Sequence, residues 1–195
     1  MSLLQLSAVT KSFTNPPLTA LDNVEMTITK GTVTALVGPS GCGKSTLLRI
    51  IAGLSSPSQG NLAWSVDNPL IALMPQRDGL FSWNTIEDNV ALPLRIRGVP
   101  RKKARERARA LLGQFDLQQF SGAYPAQLSG GMRSRVAFLR TMLAKPTLIA
   151  LDEPFGALDQ ITRSHMQRWL WQAARSRDLT LLLVTHDIAE AVTLA

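Results

Sequence analysis

The stretch "GPSGCGKST", Gly38 to Thr46, decides the fold. It fits the pattern G-x-x-x-x-G-K-[ST] at Gly38, Gly43, Lys44 and Ser45. A short β-rich run, Thr32 to Val37, precedes it, and helical spacing follows from Lys44 to Gly53. Glycines let the backbone bend around an anion without a Cβ in the way. The free N–H groups and positive dipole end of the following helix then face that anion. Lys44 is placed to reach the β- and γ-phosphates of a nucleotide, and the Ser45 hydroxyl to hold Mg²⁺. Pro39, Ser40, Gly41 and Thr46 complete the cradle. Cys42, the single cysteine, reads as a small filler within it rather than a redox group.

A second carboxylate-bearing strand supports this. In "TLIALDEP" four apolar residues, Leu148 to Leu151, carry Asp152 to a strand end, where a carboxylate can share Mg²⁺ with Ser45. Glu153 follows directly and is placed to orient or deprotonate a water attacking a γ-phosphate. His186 closes another apolar strand, "LTLLLVT", at the sheet edge where open α/β folds bind ligands. Gln76, after the short strand "LIALM", is a loop glutamine that carries little by itself. "LSGGMRSR", Leu128 to Arg135, is a second helix start suited to an anion. Its Ser129, Gly130 and Gly131 pose the question of why one small domain needs two such sites.

Outward from these motifs, Leu3–Val9 and Val24–Ile28 read as strands around a loop containing "NPP". Asn61–Val66 and Leu70–Met74 are further strand candidates. From about Thr85 to Leu143 the pattern is mostly helical, with breaks at Gly98–Pro100 and Gly122–Pro125. A helix over Ile161–Arg175, a strand over Leu179–Val184 and a helix from Ile188 complete the chain. The expected fold class is α/β: a P-loop NTPase core with a mainly parallel sheet, an N-terminal antiparallel β region and an inserted α-helical subdomain. The expected division is 1–84 and 144–195 for the core and 85–143 for the helical subdomain.

Composition narrows the class. With 195 residues and 45% hydrophobic content, the chain suffices for one domain with a real core. One cysteine leaves no internal disulfide and fits a reducing compartment. The opening "MSLLQLSAVTKSF" lacks the pattern of a secretory signal, and no apolar run reaches membrane-span length. Formal charge is +7, from 21 basic and 14 acidic residues. Much of the excess lies in Arg95, Arg97, Arg101, Lys102, Lys103, Arg105, Arg107 and Arg109, answered within that segment only by Glu106. No aromatics interleave with these charges as a single-strand binder would want. A solvated helix face with Ala104, Ala108, Leu111, Leu112 and Phe115 turned inward is the expectation there.

Together these motifs resemble the ATP-binding subunit of an ABC transporter. "GPSGCGKST" looks like its Walker A, Gln76 in "MPQ" its Q-loop, "LSGGM" its signature and "LIALDE" its Walker B. "GALD" from Gly156 looks like its D-loop and "THD" its switch-histidine loop. The resemblance runs from Leu3 to Ala195. Longer stretches such as "QLSGGMRSRVA" and "DEPFGALDQITR" are similar to bacterial importers of the nitrate, sulfonate and taurine type. It implies ATP and Mg²⁺ as cofactors, with Ser45, Gln76 and Asp152 about the metal. Glu153 is implied as catalytic base, and His186, Lys44 and Gln76 as its catalytic companions. Phe13 in "VTKSF" falls where the family stacks an aromatic ring on adenine. Two subunits are expected head to tail, so that Ser129, Gly130 and Gly131 of one meet the γ-phosphate held by the other.

The resemblance also implies integral membrane permease subunits as partners and, indirectly, a periplasmic or lipid-anchored solute-binding protein, with no nucleic acid. The expected location is peripheral, at the cytoplasmic face of the inner membrane. "RDGLFSWNTIEDNV", Arg77 to Val90, would form the permease surface through Leu80, Phe81 and Trp83, unless the two aromatics pack in the subdomain core. Met132 and Ser134 stand where the wider family often has glutamine. The strands and helix that usually follow the switch histidine are missing after Ala195, so the C-terminal part is expected to be missing. An ABC-type ATPase acting on DNA or ribosomes is the alternative; the long coiled coil or second cassette that those classes carry is not found in this sequence.

Overall fold

The computed structural model describes residues 1–156 and 158–194, so Ala157 of the "GALD" stretch and the final Ala195 lie outside the described residues. The chain divides into two compact units. The first comprises Met1–Leu73, Thr147–Glu153 and Gln167–Ala195, and the second Met74–Pro146 and Pro154–Met166.

The first unit is built on two sheets. Strands β1 (Ser2–Thr14) and β2 (Pro17–Thr29) form a long antiparallel hairpin. Strand β4 (Gln59–Trp64) pairs antiparallel with β1 on its other side, giving the order β2-β1-β4. Leu4, Leu6 and Val9 are all buried although Val9 is out of phase with the other two. The register shifts between Leu6 and Val9, and Ala8 there has φ 53°. This bulge returns Val9 to the core face, which strict alternation would not do. The second sheet has the order β3-β7-β6-β5, with β3 (Val33–Val37), β5 (Ile71–Met74), β6 (Leu148–Asp152) and β7 (Leu181–Thr185). β3 and β6 both run parallel to the central β7. "LIAL" and "LLLVT" are continuous apolar runs because both faces are covered, and all nine of these residues are buried. Leu47, Leu48, Ile50 and Ile51 of helix α1 (Lys44–Ile51) join both sheets in one core with Leu4, Ile28, Leu148 and Leu182.

The second unit is helical. It holds α2 (Ile86–Ile96), α3 (Arg101–Gly113) and α4 (Gly130–Leu143). Helix α5 (Gln160–Ser176) begins in this unit and ends in the first, where α6 (Ile188–Leu194) also lies. Thr85 caps α2 by accepting from the Asp88 N–H, and acidic Glu87 and Asp88 occupy its first turn, where the dipole favours them. Ala104, Ala108, Leu111 and Leu112 of α3 are buried, as expected, while Phe115 is half-buried. The charged face of α3 stays largely solvated, as expected, but three of its arginines also find acidic partners. Arg105 grips Asp88 with both edges of its fork, at 2.8 and 2.6 Å, and Arg101 reaches the same carboxylate at 3.0 Å. Arg109 pairs with Glu87. The partners come from α2 rather than from α3 itself, and with Arg97, which donates to the Ala144 carbonyl at the end of α4, four of the eight basic residues tie helices together.

Candidate nucleotide site

Residues 38–46 leave β3 and enter α1 as the spacing predicts. Gly43 has φ 96°, and a Cβ on it would strike the Ala20 carbonyl of β2, so glycine is required there by both conformation and space. No side chain caps α1 and no acidic residue enters its first turn, which leaves the first N–H groups for an anion. Ser40, Gly41, Cys42 and Ser45 are exposed along the loop, as is Pro39; Gly38 and Thr46 are half-buried. Lys44 is only 7% exposed. Its ammonium donates to the carbonyls of Gly38 and Pro39, each at 2.7 Å, and lies 3.8 Å from the Cys42 sulfur. The loop thus curls around the cation that a phosphate would meet.

Parallel strands carry the acidic half to the same end of the sheet. Asp152 ends β6, and its Oδ1 accepts from the Ser45 hydroxyl at 3.1 Å. A hydroxyl and a carboxylate brought together supply hard oxygen donors of the kind Mg²⁺ prefers, with room for phosphate and water to complete the shell. The residues present therefore fit that ion. Among the described residues, no cluster of three or more His, Cys, Asp or Glu side chains forms a protein-only cage.

Glu153 follows Asp152 and keeps the sheet register, its N–H donating to the Val184 carbonyl of β7 at 2.9 Å. Its φ is 46°, a left-handed conformation that costs a glutamate about 1–3 kcal/mol and tends to mark functional positions. This turn swings the side chain toward the end of β7, where Glu153 Oε2 lies 3.4 Å from His186 Nδ1. Asp187, which the sequence reading did not single out, holds that corner. Its carboxylate accepts from the N–H groups of Ala189 and Glu190, and its own N–H donates to the Thr185 hydroxyl. Sequence carried a signal for it, since Asp directly before a helix is a preferred cap.

Phe13 sits near the outer end of β1 opposite Leu18 of β2, 44% exposed, with the Lys11 ammonium 5.4 Å from its ring centre. A ring that open is free to stack on a ligand. Gln76 is exposed and belongs to the second unit, as do Ser129, Gly130 and Gly131. Ser129 caps α4, its Oγ accepting from the Met132 N–H at 3.3 Å. That bond uses a lone pair and orients the oxygen, leaving the hydroxyl hydrogen to donate outward. Gly130 has space around it, but Gly131 is buried, and a Cβ there would lie 2.6 Å from the Thr162 methyl of α5. A packing reason for Gly131 thus stands beside the phosphate reading. Trp83 is 73% exposed and stacks on half-buried Phe81, ring centres 5.0 Å apart, so core packing does not account for Trp83.

A P-loop cradle, an acidic strand end joined to it, a glutamate–histidine pair and a separate serine-capped helix define a P-loop ATP-binding cassette. The ABC transporter family model matches residues 21–156, and the chain belongs to that family. It is 47% identical over 192 residues to the aliphatic sulfonates import ATP-binding protein SsuB of Burkholderia ambifaria, covering 97% of this chain and 58% of that protein. It is 43% identical over 175 residues to the formylaminopyrimidine import ATP-binding protein ThiZ of Halalkalibacterium halodurans, covering 90% of this chain and 70% of that protein. Among solved structures it resembles a dimeric, post-hydrolysis ATP-binding cassette bound to ADP and Pi. The TM-score is 0.83 at 31% identity, covering 98% of this chain and 91% of that one. The α/β fold, with its parallel sheet and antiparallel strands, is therefore that of the family. Among the described residues no helix is long and apolar enough to cross a membrane.

Proposed function

We propose that this chain is the ATP-binding subunit of an ABC importer, hydrolysing ATP to ADP and phosphate to drive uptake of a small solute through separate permease subunits. The observation that carries it is the pairing at two adjacent strand ends: Ser45 on Asp152, and Glu153 on His186. Lys44 exchanges its two carbonyl contacts for β- and γ-phosphate oxygens, and Phe13 stacks on the adenine. Ser45 and Asp152 would hold Mg²⁺, with Gln76 proposed as a further ligand, and the ion would supply charge neutralisation at the phosphates. Glu153 accepts the proton of the attacking water, and His186 contacts the γ-phosphate and keeps Glu153 oriented. Ser129, Gly130 and Gly131 act on the nucleotide of a second copy in a head-to-tail homodimer. Residues 85–143 form the helical subdomain of this reading, and 1–84 with 144–195 its catalytic core.

Exposed Trp83, stacked on half-buried Phe81 within Arg77–Val90 and with Leu80 beside it, docks the permease at the cytoplasmic face of the inner membrane. A solute-binding protein delivers cargo from the other side. Relatives of similar identity carry different cargo names, so the cargo is read by the permease and binding protein rather than here. The DNA- or ribosome-directed alternative draws no support from these relatives. In the assembled transporter, Glu153→Gln should lower turnover by about 10²–10⁴-fold while ATP binding persists, since only proton transfer is removed. Steady-state phosphate release and nucleotide binding read the two parts. Near-normal release would overturn the role of Glu153.

A further inference from the structure

We propose that Arg133 is a positioning residue that transmits engagement of exposed Trp83 and its loop to the Leu128–Gly131 turn. The inference rests on the permease-docking reading above and names the connection within it. Arg133 sits in the first turn of α4, and its guanidinium points two ways. Nε donates to Asp78 Oδ2 at 3.0 Å, and a terminal nitrogen donates to the Leu128 carbonyl at 2.8 Å. One rigid, planar group therefore touches both the docking loop and the residue before Ser129. The other Asp78 oxygen accepts from the Leu80 N–H at 3.1 Å, which fixes the loop just before the aromatic pair.

The rest of the loop is tied as firmly. Arg140, two turns further along α4, donates to the carbonyls of Asp78 at 2.8 Å and Gly79 at 2.6 Å. Asn89 of α2 is fully buried and uses its whole amide on the same segment. Its oxygen accepts from the Phe81 N–H at 2.7 Å, and its nitrogen donates to the carbonyls of Phe81, Asn84 and Thr85 at 3.0 to 3.1 Å. A partner that pushes Trp83 therefore moves a stiff loop rather than a lone side chain. Asn89 and Arg140 hold that loop to helix bodies. Arg133 reaches from it to the serine-capped turn. Chains of hydrogen bonds and packed side chains carry energetic coupling between sites, and this side chain is such a link.

An ordinary surface ion pair would have the same charges but a different consequence. Asp78 and Arg133 are about one-third exposed, so as a simple pair their removal would cost little and would act equally on every activity. A transmitting residue acts on the stimulated reaction alone. The test reconstitutes the chain with its permease in proteoliposomes and measures ATP hydrolysis by the chain alone and by the complex. In Arg133→Gln, hydrolysis by the chain alone should stay within about twofold of wild type, and the permease-stimulated excess should fall about tenfold or more. Arg133→Lys should recover only part, because an ammonium cannot present two donors in a fixed fork. The exchange Asp78→Arg with Arg133→Asp should restore part of the loop contact but not the Leu128 contact, and so should remain uncoupled. Should Arg133→Gln fail to fold, Asp78→Asn reads the same link while keeping an acceptor for Leu80.

Unchanged stimulation in these variants, or an equal fall in both rates, would overturn the role of Arg133. A wild-type complex with no stimulation would instead remove the docking reading, and the inference with it. Stimulation that survives Arg133→Gln but vanishes in Trp83→Ala would keep the docking reading and discard the inference alone.

Discussion

Gly131 illustrates how a residue's place in a motif and its packing can be separated. Its missing Cβ is what lets α4 meet the Thr162 methyl, 2.6 Å from where that atom would stand. In Gly131→Ala, helix propensity would gain about 1 kcal/mol. The overlap would cost about 1–3 kcal/mol, since the nearest atom is a β-branched methyl that cannot swing clear. The net effect should be a lower denaturation midpoint. Thr162→Ser removes the offending methyl and should return the midpoint of the double variant close to that of Thr162→Ser alone. Failure of that rescue would show that Gly131 is needed for something other than helix packing. At Cys42 the expectation is the reverse. Its sulfur is exposed on the loop, near the Lys44 ammonium, and Cys42→Ser keeps a small side chain there. ATP turnover should stay within about twofold of wild type, because the cradle is made of backbone N–H groups. Collapse of turnover would assign the thiol a role.

Between elements, the α2–α3 contact is the one most governed by charge. The Arg105 fork, helped by Arg101, holds the Asp88 carboxyl well below the usual carboxylate range. A carboxylate whose folded pKa is depressed stabilises the fold at every pH above its unfolded value, about 3.9. That contribution is lost as pH falls from there through the folded value. The melting-temperature gap between wild type and Asp88→Asn should therefore be constant from neutral pH down to about pH 5 and close only in stronger acid. A gap that closes between pH 5 and 7 would contradict the assignment. The arginines at 101, 105 and 109 repeat every four residues, so the sequence showed that they share a helix face. It did not show that Glu87 and Asp88 face them, because that depends on how α2 and α3 pack. The same limit applies to Arg133 and Asp78, 55 positions apart. Motif residues were legible because their chemistry is local: strand, glycine loop and helix start follow one another in the chain. Strand lengths were less so. β1 and β2 extend to 13 residues each through half-buried Lys11 and exposed Ser12, Thr19 and their neighbours. These pair through backbone and leave no apolar pattern to read.

At the scale of the whole molecule, Ser129 and Lys44 belong to different units of one chain, and the proposed catalytic unit is a pair of chains. If each nucleotide needs Lys44 from one copy and Ser129 from the other, two inactive variants should repair each other. Lys44→Ala cannot hold the phosphates at its own loop but still offers an intact signature. Ser129→Arg holds ATP normally but presents a bulky cation to its partner's nucleotide. Each variant alone should be nearly inactive in the assembled transporter. Mixed at equal amounts, half of the pairs combine one of each, and each such pair has one complete site of two. Activity should then rise to at most about a quarter of wild type, the share set by random pairing in a two-fold assembly. A site completed within one chain predicts no recovery at any ratio. The serine-capped helix start thus makes a claim about stoichiometry that phosphate release from mixed subunits can decide.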